Sequence, residues 1–134
     1  MLENCIVYDY ENRAENKIYD MEKTTGNDMY EIFLGGSKSL ISIENPNAKT
    51  DRELVMFRDS FGSSIAPLLA EDYAKITLVD IRYLPVERIG NYIDFKDQDV
   101  LFLYTQAHCP LPLLQLQSLL YLPHQEQTYK ALTP

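Results

Sequence analysis

The stretch Leu54-Val55-Met56-Phe57-Arg58-Asp59-Ser60-Phe61-Gly62-Ser63-Ser64 runs an apolar segment straight into an Asp-Ser pair, a glycine and two more hydroxyl residues. A serine hydroxyl at such a junction can serve as an acyl nucleophile. It needs a histidine to take its proton and an aspartate to hold that histidine in the right tautomer. Backbone N–H groups where a helix opens, here around Ser60, Gly62 and Ser63, would stabilise the oxyanion, with Asp59 as a supporting group. Gly62 lets the backbone turn sharply and approach a substrate. The same residues also read as plain helix capping by Asp59, Ser60, Ser63 and Ser64. Both histidines are remote in sequence: His108 sits between Ala107 and Cys109 near two prolines, and His124 follows Pro123. Both read as loop residues.

Other candidate chemistry is weaker. Gly36-Ser37-Lys38-Ser39 hints at a phosphate loop, but the order is broken and an alternating strand pattern follows where a helix should open. Asp94, Asp97 and Asp99 are acidic neighbours without the glycine turn and distal glutamate of a calcium loop, so they read as a solvated connection. Cys5 and Cys109 have neither metal spacing nor a disulfide framework. No pattern asks for a metal or a cofactor. Asp80 and Arg82 read as an ion pair on the surface or as a ligand contact at a sheet edge.

The elements that must position these residues follow from periodicity. Segments 54–58, 75–80 and 100–104 carry apolar runs that do not alternate with polar residues face by face, as strands buried on both faces do. A helix between the first two, starting at Ser63 or Ser64 and running to Tyr73, keeps Pro67 in its first turn. Pro85 begins a second helix carrying Val86, Ile89 and Ile93. Strand, helix, strand, helix, strand implies an α/β fold with a parallel sheet. Ser60, Asp80, Arg82 and Thr105 would then share the rim where such sheets bind ligands. Upstream, segments 5–10 and 17–21 read as an antiparallel hairpin, Met29–Leu34 as a short helix and Leu40–Ile43 as a strand.

Length and charge bound the rest. A chain of 134 residues is one domain with a real core, and its net charge of −8 disfavours nucleic acid and anionic lipid as partners. No run of apolar residues is long enough to span a membrane, and the start lacks a signal-peptide pattern. From Gln106 the composition shifts to leucine, glutamine and proline with almost no charge. Residues 106–134 therefore read as a divergent tail, disordered or helical over 113–122, whose wide leucine stripe needs a partner.

From about Asp28 to Tyr104 the chain resembles the C-terminal part of the bacterial DHHW protein family. The residues that carry the likeness are Tyr30-Glu31-Ile32-Phe33-Leu34, Ile43-Glu44-Asn45-Pro46-Asn47-Ala48, and Phe57-Arg58-Asp59-Ser60-Phe61-Gly62-Ser63-Ser64 with Pro67-Leu68-Leu69. Val79-Asp80-Ile81-Arg82-Tyr83 and Asp99-Val100-Leu101-Phe102-Leu103-Tyr104 complete it. Residues 1–105 would then be the C-terminal part of a DHHW or SGNH-like domain. That family is similar to SGNH hydrolases and to alginate O-acetylation proteins. The resemblance implies a three-layer α/β/α, flavodoxin-like parallel sheet with a catalytic serine at Ser60. It also implies an Asp-x-His dyad upstream, an extracytoplasmic setting and an acylated polysaccharide as substrate. The Asp-His-His-Trp motif is not in this sequence. The chain is therefore expected to be a fragment of a serine esterase or O-acyltransferase, inactive alone, that self-associates or pairs with an N-terminal segment. The alternative is a non-catalytic module that binds carbohydrate or protein.

Overall fold

Apolar side chains at every position from Leu54 to Phe57 suit only a strand covered on both faces, and that strand is the middle of the molecule. The structure is a computed structural model that describes residues 2–19, 34 and 38–104, and the backbone of Tyr129–Leu132. The strands are β1 (Ile6–Asp9), β2 (Ala14–Asn16), β3 (Leu40–Glu44), β4 (Glu53–Arg58), β5 (Lys75–Val79), β6 (Asp99–Leu103) and β7 (Tyr129–Leu132). They form one sheet in the order β2-β1-β3-β5-β4-β6-β7.

The sheet is mixed: the three strands expected to be parallel are parallel, and the N-terminal strands join them antiparallel, as an α/β-like arrangement. Strands β5, β4, β6 and β7 are mutually parallel, whereas β1, β2 and β3 are added antiparallel. The hairpin explains part of this: Asp9 accepts hydrogen bonds from the N–H groups of Glu11 (2.9 Å) and Asn12 (3.3 Å), and Arg13 takes a positive φ of 53°. That turn closes early, so β2 begins at Ala14 and not at Lys17. Strand β3 then pairs with β5, Leu40 opposite Val79, and brings Lys38 and Ser39 to the edge where β4 and β5 end.

One helix, α1 (Gly62–Leu69), links β4 to β5. It starts before Ser63 and ends well short of Tyr73, with Pro67 in its interior. Proline has no N–H to give the carbonyl four residues back, so α1 lacks that bond between Pro67 and Ser63. Ala66 and Ala70 pack with Leu54, Met56, Ile76 and Leu78 on one face of the sheet. The expected second helix is a 3-10 turn over Val86–Asn91 behind Pro85. Its Ile89, with Leu84 and Ile93, covers Val55, Phe57, Val79 and Phe102 on the opposite face. The Phe57 and Phe102 rings stack there with centroids 5.0 Å apart.

These two connections have a consequence for the site. From β4 the chain moves to β5 over one face, then returns across β4 to β6 over the other. The strand order reverses at β4, and its C-terminal end is the place where open α/β sheets leave a crevice. Strand β7 lies within the stretch read as a divergent tail, and its backbone pairs in parallel with β6. The expected helices at Met29–Leu34 and 113–122 lie outside the described residues, apart from Leu34.

Candidate functional site

Asp59 makes the turn at the end of β4. Its side chain is buried, and its Oδ1 accepts the N–H of Phe61 at 3.0 Å. The Gly62 N–H then donates to the Asp59 carbonyl (3.1 Å) and the Ser63 N–H to the Ser60 carbonyl (3.2 Å). Helix α1 opens on these bonds with Phe61 at its N-cap and no side-chain cap. Capping by Ser63 or Ser64 is thus not what the structure shows: Ser63 is buried, and the Ser64 hydroxyl donates to the Phe61 carbonyl at 2.8 Å. The N–H groups of Gly62 and Ser63, expected as oxyanion donors, are engaged within the turn. Ser60 is half-buried, and among the described residues nothing hydrogen-bonds its hydroxyl or its N–H.

Beneath this turn lies a group of charges. Asp80 follows β5 and is fully buried, and Arg82 reaches it from the exposed side of the rim. Arg82 donates Nε to Oδ1 at 2.9 Å and Nη2 to Oδ2 at 2.6 Å, and its backbone N–H adds a third bond to Oδ1 at 3.0 Å. That side-chain bond to Asp80 pushes the Arg82 guanidinium above its ordinary pKa. Arg58, the last residue of β4, is also fully buried. Its Nη1 lies 4.0 Å from Asp80 Oδ2, and its Nη2 donates to the Lys38 carbonyl at 3.2 Å. Burial lowers the Arg58 pKa, and Asp80 opposes that shift. Tyr104, at the end of β6, is buried as well, and burial followed by the Asp80 and Asp59 charges pushes its phenol up. Among the described residues, neither Arg58 Nε nor the Tyr104 hydroxyl has a hydrogen-bond partner.

Sequence reasoning placed Ser60, Asp80 and Arg82 on one rim, and strand register brings the exits of β4 and β5 side by side, with Phe57 opposite Val79. It missed Arg58 and Tyr104. The available signal was an arginine closing an otherwise apolar strand four residues before a glycine. Thr105, His108, Cys109 and His124 lie outside the described residues. On the outer side of the rim, Tyr83 is exposed and the Arg82 guanidinium sits 5.4 Å from its ring centroid. Among the acidic neighbours, Asp99 accepts the Tyr73 hydroxyl at 2.7 Å and pairs with Arg52, while Asp94 and Asp97 are exposed. Among the described residues no three or more metal-binding side chains gather, and no helix is long and apolar enough to cross a membrane.

Solved structures share the fold. The chain is similar to a DHHW family protein. That protein, from Eubacterium siraeum, shares 28% identity at a TM-score of 0.53 over 75% of this chain. Bacillus cereus PatB1 shares the fold at 22% identity and a TM-score of 0.54; its structure with a sulfonyl adduct gives 23% and 0.53. The chain spans about a third of the length of these structures, 34% of the first and 35% of the others. No protein-family model and no curated protein matches it.

Proposed function

We propose that this chain carries the nucleophile-bearing part of an SGNH-like, three-layer serine esterase or O-acyltransferase. Its substrate would be an acylated polysaccharide outside the cytoplasm, as the related alginate O-acetylation proteins suggest. The observation that carries the reading is the Ser60 hydroxyl, half-exposed and unengaged among the described residues, at the end of β4 where the strand order reverses. The likeness to a DHHW family protein supports it.

In this reading Ser60 Oγ attacks the ester carbonyl while an imidazole accepts its proton. The tetrahedral oxyanion lies against the Ser60 N–H, which the turn leaves open. Collapse expels the sugar alkoxide, which takes the proton from the imidazolium, and leaves the acyl group on Ser60. Water or a second sugar hydroxyl then removes the acyl group by the reverse sequence. The Asp-x-His pair comes from a segment that docks beside the rim, so activity of the 134-residue chain depends on that partner.

The test is turnover of an acetyl ester, with and without an added segment containing Asp-x-His. Turnover that appears with the segment and disappears in Ser60→Ala supports the proposal. PatB1 is known with a sulfonyl adduct, so a sulfonyl fluoride is a suitable second probe. No labelling of Ser60 under any of these conditions overturns the reading. A second reading rests on Tyr83, an exposed ring braced by Arg82 on the same rim, as in non-catalytic carbohydrate- or protein-binding surfaces. Sugar binding lost in Tyr83→Ala but kept in Ser60→Ala, without turnover, would favour that module.

A further inference from the structure

Arg58 is the largest of the fully buried side chains, and packing gives no reason for its charge. A buried guanidinium is tolerated when carboxylates and carbonyls satisfy it closely. Here the Asp80 carboxylate is 4.0 Å away and is already held by two short bonds from Arg82. One carbonyl, Lys38, accepts at 3.2 Å; the next, Asp59, lies at 3.5 Å; among the described residues Nε has no partner. An apolar side chain of similar length would fill the same space without desolvating an ion, and such replacements are often neutral or stabilising.

The location suggests what the charge is for. The Arg58 stem lies directly under Gly62 in the first turn of α1, and the chain between them is the turn that presents Ser60. Facing the guanidinium are Asp59 on the same turn, Asp80 and Arg82 after β5, Tyr104 after β6 and the Lys38 carbonyl before β3. Two buried carboxylates, Asp59 and Asp80, balance Arg58 and Arg82, and because Asp80 is bonded by Arg82, Arg58 is the cation that adds positive potential at the turn in low-dielectric surroundings. We infer that Arg58 is a positioning residue for Ser60: its stem sets the turn, and its buried charge stabilises negative charge building on the side chain at position 60. The inference rests on Ser60 as nucleophile and adds a residue that touches no substrate.

The test uses a probe that needs no catalytic base. In the full chain carrying Ser60→Cys, the thiol pKa is measured from the pH dependence of alkylation, read on the peptide so that Cys5 and Cys109 do not interfere. Adding Arg58→Met should raise that pKa by about one unit or more, and Arg58→Lys by much less. Thermal unfolding of the Arg58→Met chain should match or exceed the parent. An unchanged thiol pKa overturns the inference. So does an Arg58→Met chain that fails to fold or melts early and is restored by Arg58→Lys, because Arg58 would then be a structural ion. Failure of the nucleophile reading shows separately, as a parent chain never acylated or sulfonylated at Ser60.

Discussion

Gly62 and Arg58 approach so closely that no side chain fits between them: a Cβ built on Gly62 would lie 2.4 Å from Cβ and 3.0 Å from Cγ of Arg58. The contact joins the end of the central strand to the start of α1, and the Ser60 turn is the piece of chain it spans. Gly62→Ala must push the helix away from the sheet or expel the Arg58 stem. Overpacking of this kind costs about 1–3 kcal/mol. Urea unfolding should show that loss, and an unchanged midpoint would mean that the turn can shift freely.

Removing the carboxylate of Asp80 takes one of its two facing carboxylates from the buried Arg58 and the bonded partner from Arg82. Asp80→Ala should destabilise by about 3–5 kcal/mol, the range for breaking a buried ion pair from one side. The loss should shrink when Arg58→Met is already present, because the stranded charge is then gone. Equal losses in both backgrounds would show that the two residues are not coupled.

Acid should weaken the hairpin end of the sheet through Asp9. Burial acts to raise its pKa, but hydrogen bonds from Asn12 and Glu11 and the nearby Lys38 ammonium outweigh it and hold the carboxyl below its ordinary value of 3.8. A group depressed in the folded state contributes stability above its unfolded pKa and loses it as pH falls through the folded one. The stability difference between the parent and Asp9→Asn should therefore be largest near neutral pH and close below pH ~4. Urea midpoints over that range decide it, and a gap that widens in acid would refute the assignment.

Ser60→Ala should leave stability within about 0.5 kcal/mol of the parent, since the hydroxyl is half-exposed and engages nothing among the described residues. A loss of activity without loss of stability is the signature expected of a reacting group. If the alanine variant melts much earlier, the hydroxyl is a structural donor.

Strands β3 to β6 were legible because long apolar runs, bounded by polar or turn residues, admit few other conformations. Leu54–Phe57 and Val100–Leu103 show this best, being buried along their whole length. Helix ends were less legible, since Pro67 is tolerated in more than one position of a short helix. The Asp80–Arg82 pair was foreseen, but the burial of Asp80 was not, because a carboxylate at a strand end looks alike in sequence whether water reaches it or not.

The amino-acid order by itself determined that segments 5–10, 40–43, 54–58, 75–80 and 100–104 are strands, that the last three alternate with covering turns, and that a serine closely follows segment 54–58. These are local properties, set by the period of apolar residues and by the backbone limits of proline and glycine. Only the tertiary structure decided that β3 enters antiparallel beside β5, that the order reverses at β4, and that Arg58 lies buried between Gly62 and Asp80. Those outcomes depend on which apolar faces meet across many residues and on which charges are shut off from water together, and no local pattern encodes either.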